Sequence, residues 1–150
     1  MNDLNNIVIV IPVYNHAASL RQVVEGVLRY HNQLLIVDDG STDGVAEALQ
    51  GLAVELIRHP RNLGKGEALL TAARWATQQG MSHMICLDAD GQHAPDDLPL
   101  FFAAISTFPK ALIVGHRDFS QQSIPGASRF GRKFSNFWLR LQTGSHLRDS

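Results

Sequence analysis

Along this chain, apolar and polar positions alternate in blocks rather than residue by residue. Residues 7–13, IVIVIPV, form a continuous and largely β-branched run. A strand with one wet face alternates, whereas an unbroken run fits a strand buried on both faces. Residues 18–29 then set Leu20, Val23, Val24, Val27 and Leu28 at helical spacing, giving one apolar stripe. The pattern repeats. Residues 33–39 (QLLIVDD) predict a second strand, 43–52 a short helix and 53–59 (AVELIRH) a third strand. Residues 64–80 predict a helix with an inner face mostly of alanine and leucine, small enough to lie close to a sheet. Residues 83–88 (HMICLD) predict a fourth strand. In 94–105, Pro95 opens a helix, Asp96 and Asp97 occupy its first turn, and Leu98, Phe101, Phe102 and Ile105 carry its buried face. Residues 111–117 (ALIVGHR) predict a fifth strand. A last helix over 126–142 turns Phe130, Phe134, Trp138 and Leu141 one way, with Arg129, Arg132, Lys133 and Arg140 elsewhere.

This β-α-β-α order implies an α/β fold, a mostly parallel Rossmann-like sheet with helices on both faces. In such sheets ligands bind outside the carboxyl ends of the strands. The polar clusters fall at those ends. Tyr14 and Asn15 follow the first strand, and Asp38, Asp39, Gly40 and Ser41 the second. Asn62, Gly64 and Lys65 follow the third, Asp88, Asp90 and Gln92 the fourth, and Arg117 ends the fifth. One rim of the sheet therefore collects them all.

Composition changes this picture little. The 150 residues suggest one domain with a real core, and a formal net charge of -1 gives no reason to expect nucleic acid as a partner. Cys86 is the only cysteine, which excludes an internal disulfide; its apolar neighbours predict a buried small hydrophobe. The seven histidines show no zinc-ligand spacing. The first fifteen residues have no basic region and too short an apolar run for a signal peptide, and no stretch is long enough to span a bilayer. The expected location is cytoplasmic, with peripheral contact at the inner face of the membrane left open.

Three rim motifs carry candidate chemistry. Asp88 and Asp90 flank one alanine on a strand-to-loop turn. Their hard oxygens suit Mg²⁺ or Mn²⁺, and an ion held by two carboxylates keeps positions for water and phosphate oxygens. The other reading, that both acids cap the following turn, stays open at this point. Asp38 and Asp39 end a strand, where a carboxylate can accept from ribose hydroxyls or a base N–H; Gly40 permits an unusual turn. Ser41, Thr42 or Asp43 can cap the next helix, and for Thr42 and Asp43 the turn-and-cap role is the one expected. The run from Arg61 to Gly66 bares backbone N–H groups at a helix start beside Lys65, favouring anions, though without the spacing of a P-loop. His93 adjoins the acids as a cap or packing residue before it is a ligand. His16, His31, His59, His83, His116 and His146 read as structural or surface residues.

Taken together, IPVYN, IVDDGSTDG, RNLGKGEAL, LDADGQHAPDDLP and the GHR at 115–117 resemble the family 2 glycosyltransferases of GT-A fold, in family order and over nearly the whole chain. The similarity is nearest the branch of dolichyl- and polyprenyl-phosphate sugar synthases. The resemblance implies an inverting transfer from a nucleotide-sugar donor to a lipid-phosphate, glycan or other hydroxyl acceptor. It implies a nucleotide-sugar pocket of Pro12, Tyr14, Asn15, Asp38, Asp39, Lys65 and Asp88. A Mg²⁺ or Mn²⁺ ion would lie among Asp88, Asp90 and Gln92, with Asp90 the catalytic member. Arg117 and Arg129 would approach an acceptor phosphate. His16 stands where many relatives have Glu. Relatives also continue where this chain stops, so the chain is expected to be the donor-binding part of a longer enzyme, with a last-helix apolar face that would invite dimerisation. A non-catalytic nucleotide-sugar-binding module is the alternative. A phosphoacceptor receiver domain would need a lysine after its last strand, and a nucleotidyltransferase a glycine-rich basic loop after its first; the chain has neither.

Overall fold

The structure, a computed structural model, describes residues 4–92 and 94–115. The stretch Met1–Ala111 forms one compact unit and Leu112–Ser150 falls into a second. The expected last helix, Arg117, Arg129, His93, His116 and His146 lie outside the described residues.

Among the described residues, four strands form one sheet: β1 (Ile7–Val13), β2 (Leu34–Asp38), β3 (Glu55–Arg58) and β4 (His83–Cys86). All pair in parallel, in the order β3-β2-β1-β4. The helices between them are α1 (Ala17–Leu28), α2 (Val45–Ala48) and α3 (Lys65–Gln78), with α4 (Leu98–Thr107) following a 3-10 turn at Pro95–Asp97. The α/β reading therefore holds.

The continuous apolar runs of the first two strands have the meaning expected. In β1, Ile7 through Ile11 are 0–1% exposed, and β2 is buried at every position. The even face, Val8 and Val10 with Leu35 and Val37 of β2, packs on Ala68, Ala72 and Ala76 of α3. Alanines four apart bring that helix close to the sheet, and Trp75 flanks them. Leu70, included in the expected inner face, is instead 49% exposed, because the alanine stripe and not the leucines meets the strands. The connection through α1 steps from β1 to β2, and the one through α3 steps from β3 back past β1. Right-handed crossovers in opposite directions put these helices on opposite faces.

Two expectations need correction. The described part of the fifth strand, residues 111–115, joins no ladder, and Leu112 is 91% exposed. An apolar run becomes a strand only when a neighbour takes up its backbone groups. Cys86 is exposed rather than buried. It pairs with Val10 and so shares the face on which α3 lies over β1 and β2, but β4 is the outer strand among the described residues and its side chains extend past that cover.

Pro12 sits near the end of a strand with neighbours on both sides, where a missing N–H is usually costly. The hydrogen bonds explain its place. Ile9 N–H donates to Gln33 O and Val13 O accepts from Asp39 N–H, so odd residues of β1 face β2. Val10 O accepts from Leu87 N–H, so even residues face the β4 side. Pro12 therefore lacks its donor on the side where pairing with β4 has ended. Past that rung the two chains separate, which opens the rim between β1 and β4. This is also where the strand order reverses direction, the place such sheets use for ligands.

Candidate functional site

A cleft of ≈ 380 Å³ lies at this opening. Pro12, Val13, Tyr14 and His16 line it from the end of β1, Asp39 from β2, and Asn62, Gly64 and Lys65 from the turn into α3. Asp88, Ala89 and Asp90 line it from the segment after β4. Register accounts for the meeting: Val13, Asp38 and Arg58 are level across β1, β2 and β3, while Cys86 is level with Val10.

Each wall is built differently. Asp39, 3% exposed, is enclosed by donors. Its Oδ1 accepts from Leu63 N–H at 2.9 Å and meets His59 Nδ1 at 2.7 Å, and its Oδ2 accepts from Gly64 N–H at 2.8 Å. The far nitrogen of His59 meets Thr71 Oγ1 at 2.9 Å, tying this acid to α3. Burial pushes the Asp39 carboxyl up, but the donors from Leu63, His59 and Gly64 outweigh it and hold the group below its ordinary value. Gly40, with φ of +77°, lets the turn lie this close: a Cβ there would stand 2.4 Å from the Arg61 carbonyl carbon. The unusual turn expected at Gly40 is present.

Asp38 is fully buried and is not among the residues lining the cleft. Its Oδ1 accepts from Ser41 N–H at 2.8 Å. Arg58 Nε stands 3.3 Å from Oδ2 as an ion pair, yet without hydrogen-bond alignment, and that oxygen has no hydrogen-bond partner. Asn15 also joins loops rather than lining the cleft. Its φ of 54° is one that asparagine tolerates. Its N–H donates to Ser41 Oγ at 3.0 Å, and its Oδ1 accepts from Thr42 N–H at 2.9 Å. Asp43 does cap, but not the next helix: its Oδ2 accepts from Ala17 N–H at 2.8 Å, satisfying the start of α1. Gly44 opens α2 with no side-chain cap.

The opposite wall is open. Lys65 Nζ donates to Asp88 Oδ1 at 2.5 Å, with the lysine side chain 59% and the aspartate 34% exposed. Partial burial pushes the Lys65 pKa down, but the Asp88 carboxylate outweighs it and holds the ammonium above its ordinary value. Asp90 is exposed, and its Oδ1 accepts from Gln92 N–H at 2.8 Å, so one oxygen serves the turn. Gln92 is exposed as well and does not line the cleft. Among the described residues, no group of three or more His, Cys, Asp or Glu side chains gathers to hold a metal. Two carboxylates at an open cleft suit a hard divalent cation whose remaining positions go to ligand oxygens, so this donor set fits Mg²⁺ or Mn²⁺.

His59, expected to be a structural or surface residue, is structural: it is buried and bonds Asp39 and Thr71 without lining the cleft, and its particular partner Asp39 is what the sequence did not show. The rim rule could have suggested the pairing, since His59 is the first residue past β3.

Residues 8–147 match glycosyl transferase family 2. The chain belongs to that family. This family 2 chain is 30% identical over 166 residues to a UDP-N-acetylglucosamine–dolichyl-phosphate N-acetylglucosaminyltransferase of Methanococcus voltae, covering 96% of the chain and 66% of the relative. It is 33% identical over 105 residues to a polyprenol monophosphomannose synthase of Mycolicibacterium smegmatis, covering 65% and 40%. Against these relatives it spans between two fifths and two thirds of their length. Its fold matches a glucosyl-3-phosphoglycerate synthase of Mycobacterium tuberculosis, crystallised with Mn²⁺, UDP-glucose and phosphoglyceric acid. The TM-score is 0.66 at 19% identity, over 92% of this chain and 50% of that one. The fold is GT-A. No helix among the described residues is long and apolar enough to cross a membrane.

Proposed function

We propose that this chain is the donor-binding part of an inverting glycosyltransferase that moves a sugar from a nucleoside diphosphate to a polyprenyl-phosphate acceptor, with a divalent cation at Asp88 and Asp90. One observation carries the reading: Lys65 and the two acids face a single cleft at the switch point of the sheet. Family membership gives it context. The dolichyl-phosphate and polyprenol relatives support a lipid-phosphate acceptor, and the Mn²⁺ and UDP-glucose of the structural neighbour support the donor class.

Transfer forms a bond from an acceptor oxygen to the anomeric carbon and breaks the bond from that carbon to the diphosphate, which keeps the electron pair. Attack from the opposite face inverts the centre. A phosphate acceptor is already anionic and needs no general base; a hydroxyl acceptor does. The charge that develops on the diphosphate is met by Lys65, whose ammonium persists at neutral pH. Asp88 and Asp90 would hold a divalent cation, which would supply the rest of that neutralisation when bound. On the other wall, Asp39, with Pro12 and Tyr14 beside it, is suited to the nucleoside. Asn15 from its loop and Asp38 from the end of β2 support that wall. Arg117 and Arg129 remain sequence candidates for the acceptor phosphate.

Calorimetry with UDP, GDP and CDP, each with and without Mn²⁺, tests the donor site and identifies the base. Wild type gains affinity for one of them with Mn²⁺; Asp90→Ala loses that gain while its circular dichroism is unchanged. Equal Mn²⁺-dependent affinity in the variant rejects the metal role. Release of the nucleoside diphosphate from its sugar conjugate in the presence of a polyprenyl phosphate separates an enzyme from a binding module.

A further inference from the structure

One face of α1 touches the segment after β4 at four described positions. Near its start, Ser19 Oγ donates to the Ala89 carbonyl at 2.6 Å, with a longer alternative at 3.3 Å to His16 O in its own turn. One turn on, Val23 Cγ2 lies 4.0 Å from where a Cβ on Gly91 would be. A Cβ on Gly26 would stand 2.8 Å from Pro95 Cγ, so that helix position packs directly on the proline. Just past the helix end, Tyr30 donates its hydroxyl to Asp96 Oδ1 at 2.7 Å, with Arg29 3.9 Å from the same oxygen. Helix positions 19, 23 and 26, spaced by four and three residues, form one stripe, and Tyr30 extends it just past the helix end. The partners 89, 91, 95 and 96 rise in the same direction, so the helix acts as a rail.

Ser19 has a particular place on that rail. Ala89 is the residue between Asp88 and Asp90, and its side is 4% exposed while both acids reach the cleft. Its carbonyl belongs to the peptide unit that sets the two carboxylates relative to each other. Beyond the β4 ladder, whose last rung is Leu87 N–H to Val10 O, the Ser19 hydroxyl reaches the backbone of this unit from another element, while Lys65 of α3 bonds the Asp88 side chain.

We propose that Ser19 is a positioning residue, which fixes the backbone between Asp88 and Asp90 through the Ala89 carbonyl so that both carboxylates are presented to one ligand. This rests on the donor-site reading above. It goes beyond it in assigning the geometry of the acid pair to a hydroxyl on a different helix.

Three variants of the full chain test it: Ser19→Ala, Ser19→Thr, which keeps a hydroxyl, and Tyr30→Phe at the far end of the rail. Two measurements are made. One is calorimetry with Mn²⁺ and UDP, GDP or CDP in turn; the other is amide hydrogen exchange over residues 87–92 without metal or nucleotide. Loss of one hydrogen bond predicts Mn²⁺-dependent nucleotide binding about fivefold weaker in Ser19→Ala. Metal-free nucleotide binding and the urea midpoint stay near wild type, exchange over 87–92 quickens, Ser19→Thr restores both readouts, and Tyr30→Phe moves neither as far. Unchanged exchange and unchanged binding in Ser19→Ala overturn the proposal, as does an equal weakening with and without Mn²⁺. If wild type shows no Mn²⁺-dependent binding with any of the three nucleotides, the donor-site reading fails, and exchange alone then decides: faster over 87–92 sustains the positioning role and unchanged exchange ends it.

Discussion

Two acidic pairs end neighbouring strands of this sheet, and they meet opposite fates. Asp38 and Asp39 follow β2, which has a strand on either side, and both are buried. The turn after β3 folds over them and commits two backbone N–H groups and a histidine to Asp39. Asp88 and Asp90 follow β4, the outer strand among the described residues, and face the cleft with much of their surface in water. A carboxylate's chemistry is the same in both pairs. What differs is burial. Where the fold encloses the acid it becomes architecture; where the acid stands at the open rim it suits the divalent cation proposed above.

The sharpest way to break this comparison is to remove one acid from each pair. Asp39→Ala leaves Leu63 N–H, Gly64 N–H and the His59 ring without their acceptor in a buried place. At about 1–3 kcal/mol for each orphaned group, and less than additive, the loss is roughly 3–5 kcal/mol. Asp90→Ala removes an exposed side chain that helps one turn, for about 0.5–1 kcal/mol. Urea unfolding of the two variants measures both. Equal midpoints would show that the buried pair is no more structural than the open one.

The same contrast explains what could be read from the sequence. The parallel order, the four paired strands and the shared rim were legible because β1 and β2 are buried on both faces and their apolar runs have no other use. The acid pairs were legible as candidates, since each follows a strand. Their division of labour was not, because it depends on long-range partners. Asp43 caps α1 from 26 residues away, and His59 reaches Asp39 across 20. Neither spacing has a local pattern. The exposed Cys86 was missed for a related reason: neighbours in sequence do not tell which strand lies at the outside of a sheet. The stretch at 111–115 was misread because hydrophobicity reports burial tendency and not pairing.

Glycines sharpen the comparison at smaller amplitude. Gly40 and Gly91 follow the two acid pairs, and both have positive φ, +77° and +75°. An alanine at either carries the left-handed cost of roughly 1–2 kcal/mol. At Gly40 the added Cβ also meets backbone, with Arg61 C at 2.4 Å and Asn62 N at 2.7 Å; at Gly91 it meets only Val23 Cγ2 at 4.0 Å. Gly40→Ala should therefore cost about 1–2 kcal/mol more than Gly91→Ala, in the range of overpacking. Melting temperatures of the two variants that coincide would mean that the turn over Asp39 is free to move away, and that its enclosure is looser than the distances imply.

The smallest effect is the acid limb of the stability curve. Asp39 has a folded pKa held below its ordinary value, so the unfolded chain binds its proton more readily than the folded one. Stability from this group is then fully present above the unfolded value of about 3.9 and is lost as pH falls through the folded value. Unfolding free energy should rise with pH across that window, and Asp39→Asn, which cannot titrate, should flatten the rise. Asparagine also turns one acceptor into a donor facing Leu63 or Gly64, so its stability falls at every pH; the slope and not the height is the informative quantity. A slope as steep in Asp39→Asn as in wild type would place the acid sensitivity elsewhere than in the three donors that enclose Asp39.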